Sequence, residues 1–287
     1  MLILYQKPME TRTKELRRVT SGHNALVKDL RRAFTQAVLT EDGHCAAEGV
    51  RVVEEAIRSG RKIKAVFVRE SSAERANRLL PQLGSHTETL MLPDDVFDSA
   101  VPSDTPQGVA ALVKIEPVAL EQVLTLDGAL LLAVAGLQDP GNLGTLVRSA
   151  EAFGASAVLI GSGTVSPWNP KVVRGSSGSI FRMPVVSGSL VTAFEALRQR
   201  EYRVMATSSH RGTLLPEVNL GGATVVVIGN EGAGIARELM PFVDETIVIP
   251  QSSKVESLNA GIAGSIILYE AARQRKLEPQ RHRDTEN

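Results

Sequence analysis

Residues 223–234 read Ala223-Thr224-Val225-Val226-Val227-Ile228-Gly229-Asn230-Glu231-Gly232-Ala233-Gly234, an almost unbroken apolar run that stops at a glycine-rich turn. Such a run, with no polar alternation, suits a strand buried on both faces, the condition of a parallel sheet covered by helices. The same texture recurs at 129–135, 157–160, 203–206 and 246–249, with helix-like segments between. Residues 118–275 therefore predict an open α/β domain with a parallel sheet.

Upstream the texture differs. Leu16, Val19, His23, Leu26, Val27 and Leu30 recur at helical spacing, so a helix is expected to open the first unit. Val50, Val53 and Ile57 then lead into a strand at 63–68. A second helix-to-strand pattern spans 73–92, and 108–113 forms a short apolar strand before a linker at Pro117. This is a small α/β unit over 1–117. At 287 residues the chain has length for two cores. Residues 1–13 lack periodicity and are expected to form a loose arm, and 276–287 a frayed tail.

The single cysteine, Cys45, excludes an internal disulfide and suits a reducing, cytoplasmic setting. No leader pattern and no apolar run of membrane-spanning length is present, so a soluble protein without a membrane partner is expected. The 32 basic and 32 acidic residues cancel, which removes the bulk signature of a nucleic-acid binder. Locally the balance shifts: Lys7, Arg12, Lys14, Arg17, Arg18, Lys28, Arg31 and Arg32 face only Glu10, Glu15 and Asp29 in that stretch. Such a patch suits phosphates, and it suits a solvated helix face equally.

Ligands of open α/β sheets settle at the carboxyl ends of strands, so the loops there carry the chemistry. The first holds Gln138-Asp139-Pro140-Gly141-Asn142, where Asn142 can cap a helix that carries Arg148 on its polar side and ends at Gly154. The second is Gly229 to Gly234, which is expected to open a helix at Ile235. Its spacing is not that of a dinucleotide-binding turn, and Glu231 would repel a pyrophosphate. The third runs from Ile249-Pro250-Gln251 to Ser257-Leu258-Asn259, with Ser257 and Asn259 as candidate caps. In the helix that follows, Leu258, Ile262, Ile266 and Tyr269 form an apolar stripe. Gly261 and Gly264 within it each cost about 1 kcal/mol against alanine, which requires close approach of a backbone or ligand.

Asn142-x5-Arg148, Gly229-Asn230-Glu231-Gly232-x-Gly234 and Ile249-Pro250 with Ser257-Leu258-Asn259 resemble the three ordered motifs of the SpoU (TrmH) family of RNA 2′-O-ribose methyltransferases. The first half resembles, more loosely, the ribosomal-protein-like RNA-binding domain that many members carry, through Ser21-x2-Asn24-x2-Val27-Lys28 and Ala47-Glu48-Gly49-Val50. Members often place a bulky apolar residue and a valine before that Glu-Gly pair, where this chain has Cys45, Ala46 and Ala47.

The resemblance implies an RNA substrate-binding domain over 1–117, a methyltransferase domain over 118–275 with a deep trefoil knot, and a homodimer in which Arg148 of one subunit faces the cofactor of the other. It implies S-adenosylmethionine held by Thr207, Gly229, Asn230, Gly232, Ile249, Pro250 and Leu258, with Asn142, Arg148, Glu231, Ser257 and Asn259 at the reacting end. A guanidinium is a poor base near neutrality, so Arg148 is expected to stabilise a developing alkoxide or hold a phosphate. RNA contacts are expected from Arg17, Arg18, Lys28, Lys171 and Arg174, the last two in a stretch, 169–178, that also reads as a flexible glycine-serine loop at a dimer face. Trp168 could stack on a base or be buried. His23, His44, His86, His210 and His282 lack metal-ligand spacing, and no metal is expected. The two-domain layout leans toward ribosomal over transfer RNA. The alternatives are transfer RNA, a catalytically inactive RNA-binding homologue, and a nucleotide-dependent oxidoreductase.

Overall fold

Contacts divide the chain into two compact units, Met1–Ile115 and Glu116–Asn287. The computed structural model describes residues 16–252, 254 and 256–276; the arm expected at 1–13 and, apart from Lys276, the tail expected at 276–287 lie outside the described residues.

The first unit runs β1 (Arg17–Arg18), α1 (Ala25–Gln36), β2 (His44–Glu48), α2 (Val50–Arg58), β3 (Ile63–Arg69), α3 (Ala73–Ala76), β4 (Glu88–Leu92), α4 (Asp94–Ala100) and β5 (Val109–Lys114). Its sheet has the order β1-β4-β3-β5-β2, with β1 and β3 parallel to β4, and β5 antiparallel to β2 and β3. Val27, Leu30 and Phe34 of α1 pack on Phe67, Leu90 and Leu112 of the sheet. The helix expected from Leu16 onward starts later. Arg17 and Arg18 pair with β4 as an edge strand, and Val19 continues the pairing through its N–H to the Met91 carbonyl at 2.9 Å. The Asn24 side chain then accepts the Leu26 N–H at 3.0 Å and starts α1. Of the periodic residues before that cap, Val19 is buried by this pairing, and His23 lies in the turn that follows.

Cys45 lies wholly buried in β2, and burial pushes its thiol up to about 12. The native chain should accordingly react with no more than a trace of an aromatic disulfide reagent at pH 8, and with one equivalent after denaturation. Rapid labelling of the native protein would mean that β2 opens locally.

The second unit contains α5 (Leu120–Val123), β6 (Leu130–Val134), α6 (Pro140–Ala152), β7 (Ala157–Ile160), α7 (Pro170–Gly175), β8 (Val185–Ser187), α8 (Leu190–Arg198), β9 (Arg203–Ser208), β10 (Thr213–Leu214), β11 (Thr224–Ile228), β12 (Glu245–Val248) and α9 (Ala260–Gln274). The sheet order is β10-β12-β9-β11-β6-β7-β8, and every described pairing is parallel. All residues of β6 and β11 are buried, as their unbroken apolar runs require. Because the strands are parallel, the loops after β6, β9, β11 and β12 leave from one edge.

Three readings of this half are corrected. No helix opens at Ile235; the chain turns through Gly234 and forms a 3₁₀ segment at Arg237–Phe242, which contains Pro241. The stretch 169–178 is no flexible loop over its first part: Asn169 accepts the Lys171 N–H at 2.9 Å, Pro170 takes the first helical position, and α7 follows with Val172 and Val173 buried. The stripe expected on α9 does not face the core as a unit, since Leu258 and Ile266 are only half-buried. Ile262 and Tyr269 are 53% and 56% exposed, whereas Gly261, Gly264, Ile267, Leu268, Ala271 and Ala272 face the core. The glycines decide this, since a Cβ on Gly264 would run into Leu146 of α6 and press on Ile228. Small residues let α9 lie close on α6.

Candidate active site

The start of α6 frees one amide for other work. Asp139, not Asn142, caps the helix: its carboxylate accepts the Asn142 N–H at 2.7 Å, and Pro140 occupies the first turn. The cap assigned to Asn142 is thus corrected by one turn chemistry winning over another. Its side chain instead bridges the other two loops. Nδ2 donates to Glu231 Oε1 at 3.1 Å, and Oδ1 accepts from Asn259 Nδ2 at 2.8 Å. Donor and acceptor are both engaged, which fixes the orientation of the Asn142 amide. Asn259 in turn caps α9, its Oδ1 accepting the Ile262 N–H at 3.1 Å, and so Ser257 is not the cap.

Between these residues the second loop is built by Asn230. Its main chain closes a bridge with Gly234 through hydrogen bonds of 2.9 and 3.0 Å. Its side-chain oxygen accepts the Gly232 and Ala233 N–H groups at 2.9 and 2.8 Å, and its Nδ2 donates to the Gly136 carbonyl at 2.8 Å. A Cβ on Gly229 would meet the Gly234 carbonyl carbon and oxygen at 2.6 Å, so the closed loop has room only for glycine there. Asn230 shapes the loop, and Glu231 stands at its tip.

Beneath the loops lies a cleft of about 640 Å³. Of the expected cofactor contacts, Thr207, Gly229, Asn230, Gly232, Ile249 and Leu258 line it, as do Glu231, Ser257 and Asn259; Pro250 is not among the lining residues. Sequence reading missed the stretch Ser208 to Arg211, which lines the same cleft. Its signal was available: it follows β9 at the ligand-bearing edge of a parallel sheet.

Arg148 stands apart from the cleft lining, exposed on α6. Its Nη1 donates a long hydrogen bond of 3.5 Å to Ser177 Oγ. Ser177 has φ 51°, a left-handed conformation rare for serine. Ser149 and Ser265 join α6 to α9 at 2.7 Å. Lys171 and Arg174 sit on α7, and Trp168 is half-buried just before it. In the first unit, Lys28 is exposed on α1, while Arg17 and Arg18 meet Glu88 and Glu70 at 3.2 and 3.0 Å in open ion pairs. Folding therefore brings acids from distant sequence to a patch whose local count looked strongly basic. Pairs so exposed are weak and leave the arginines able to exchange partners. Among the described residues no group of three or more His, Cys, Asp or Glu is arranged to hold a metal ion.

The cleft fits S-adenosylmethionine. Its volume is of small-ligand size. Gly229 leaves its wall as bare backbone, where a Cβ would intrude. The carboxylate of Glu231 supplies negative charge beside a ligand that carries a sulfonium and an ammonium group.

Comparison with known proteins agrees with this geometry. Residues 129–269 match the SpoU rRNA Methylase family, and residues 24–111 the MRM3-like substrate binding domain. The 23S rRNA (guanosine(2553)-2'-O)-methyltransferase RlmP of Bacillus subtilis is 31% identical over 254 residues, covering 88% of this chain and 98% of that protein. The 23S rRNA (uridine(2479)-2'-O)-methyltransferase of Streptomyces viridochromogenes is 28% identical over 92% of this chain and 94% of its own. An AdoMet-bound rRNA methyltransferase from Sinorhizobium meliloti has a similar structure, with TM-score 0.78 and 27% identity over 92% of this chain and 99% of that one. Likeness of this extent to a relative over nearly its whole length, with a cleft lined by the second and third motif loops, establishes that the chain belongs to the SpoU rRNA methylase family.

Proposed function

We propose that this chain transfers a methyl group from S-adenosylmethionine to a ribose 2′-hydroxyl of ribosomal RNA. The observation that carries the reading is the Asn142 amide joining Glu231 to Asn259 beside the cleft, because it draws three separate loops into one polar site. The substrate class follows the two ribosomal-RNA relatives. Those relatives act on a guanosine and a uridine, so the reading commits to the ribose and not to a base.

When bound, S-adenosylmethionine would supply an electrophilic methyl carbon on a positive sulfonium, so that the ribose 2′-oxygen gains an O–C bond as the C–S bond breaks, its electron pair leaving with the neutral thioether and the hydroxyl proton going to water. Thr207, Gly229, Ile249 and Leu258 hold the donor, and Glu231 favours its positive groups. Asn142 and Asn259 present amides to the target nucleotide, and Ser257 adds a hydroxyl. Arg148 stabilises charge on the 2′-oxygen or grips the adjacent phosphate. Lys171 and Arg174 on α7 contact RNA phosphates from the second unit, and Arg17, Arg18 and Lys28 do so from the first.

The same reading includes a homodimer, a deep trefoil knot in residues 118–275, and a ribosomal-protein-like first domain over 1–117. For the dimer, the support is the exposure of Ile262 and Tyr269 on α9, more than half of each residue being open among the described residues although the Tyr269 ring meets Phe153 edge-on. For the knot it is the seating of α9 on α6, helices from opposite ends of the domain that close on each other at Gly264 and Leu146. An electron-density trace in which residues 245–276 can be pulled free of the preceding loops would overturn the knot.

The decisive experiment incubates the purified chain and radiolabelled S-adenosylmethionine with ribosomal and transfer RNA in separate reactions, followed by nucleoside analysis. Label in a 2′-O-methylated nucleoside of ribosomal RNA is the expected result. Label confined to transfer RNA would reassign the substrate. Calorimetry that detects NAD binding but none of S-adenosylhomocysteine would sink the reading altogether.

A further inference from the structure

Among the described residues, the acidic and basic side chains lining the cleft are Glu231, Arg211 and His210. Glu231 is engaged by Asn142 at the end where the motif loops meet. Arg211 makes no ion pair among the described residues, and it belongs to the loop that follows β9, which the three motifs leave out. That loop is anchored at both ends. Ser208 Oγ accepts the N–H groups of His210 and Arg211 at 3.2 and 3.3 Å. Gly212, with φ 153°, presses against the Thr246 carbonyl of β12 so closely that no Cβ would fit. The backbone that carries Arg211 is therefore fixed at the rim of the cleft, with its guanidinium available.

We propose that Arg211 recognises the terminal carboxylate of S-adenosylmethionine, an inference that rests on the methyl-donor reading of the cleft. The donor carries one carboxylate. Near Glu231 that group would meet like charge, whereas the Arg211 fork offers two parallel N–H donors matched to its geometry. The two charges of the lining thus orient the ligand: its sulfonium toward Glu231, and its amino-acid end, whose carboxylate the guanidinium fork matches, toward Arg211. An RNA phosphate is the rival anion.

Calorimetry on the full chain separates these. S-adenosylhomocysteine carries the amino-acid tail, and 5′-methylthioadenosine keeps the nucleoside and sulfur without it. Arg211→Ala should weaken the first by about tenfold, in the range of a charge-assisted hydrogen bond, and leave the second unchanged. Arg211→Lys should fall between. Equal weakening of both compounds would show that the residue only props the loop, and unchanged binding of both with weaker RNA binding would assign Arg211 to a phosphate; either overturns the inference while the methyl-donor reading stands. If the wild-type chain binds neither compound, that reading fails and the inference with it.

Discussion

Arg148→Ala is expected to lower turnover on ribosomal RNA by about 10²–10³-fold, the usual consequence of removing one charge-stabilising donor from a reacting oxygen. Binding of S-adenosylhomocysteine should not change, because Arg148 does not line the cleft of its own chain and its assigned contact, whichever cleft it serves, is the 2′-oxygen or phosphate and not the donor. Nor should the melting temperature, because the side chain is exposed and its hydrogen bond to Ser177 is 3.5 Å long. This pattern, chemistry lost with donor affinity and stability kept, separates a catalytic role from a structural one. Arg148→Lys refines it. Lysine keeps the charge but not the planar fork, so a bidentate grip predicts a loss nearly as large as that of alanine. Substantial turnover in Arg148→Lys would reduce the residue to a point charge. Turnover within threefold of wild type in Arg148→Ala would remove it from the mechanism.

The position of Arg148 also shows what could be read from sequence and what could not. The buried strands were legible because burial on both faces leaves unbroken apolar runs, as in β6, β7 and β11 and the centre of β9, whereas the strand read at 246–249 forms as β12 with only Ile247 buried. Edge strands such as β8 and β10 are short and only partly buried, so they leave no such run. Helix starts were harder, because several capping residues competed. Asp139 and Asn142 both fit the first turn of α6, and only three dimensions show that the aspartate caps while the asparagine reaches residues 89 and 117 positions away. The α9 stripe failed for a different reason. Periodicity reports an apolar face but not which way it points, and the glycines on the other side, not the isoleucines, pack on α6. Of the cleft, the residues inside recognisable motifs could be named, whereas the loop carrying His210 and Arg211 has no motif, and its place after β9 was its one signal.

Gly229→Ala is expected to abolish donor binding, weakening S-adenosylhomocysteine by at least about 100-fold, a loss to be read by calorimetry. The cause is steric. The new methyl would stand 2.6 Å from the carbonyl of Gly234, which is backbone and cannot rotate away. Relief requires the Asn230–Gly234 bridge to open, and with it go the hydrogen bonds that hold Glu231 near Asn142. Overpacking of this kind costs about 1–3 kcal/mol of stability, so the variant should still fold while its cleft is spoiled. Unchanged affinity would mean that the donor does not lie against this loop. The two inactive variants then test the dimer together. If Arg148 serves the cleft of the other subunit, a mixed dimer of Arg148→Ala and Gly229→Ala chains contains one cleft that is intact in Gly229 and faces an intact Arg148. Mixing two nearly dead proteins under subunit exchange should therefore restore up to one quarter of wild-type turnover, since about half of the dimers are mixed and each has one working site of two. If Arg148 serves its own chain, every site in the mixture lacks one of the two residues, and no activity returns. Recovery on mixing would show that each working site is completed by a second chain, because Arg148 and Gly229 then reach one another only across subunits.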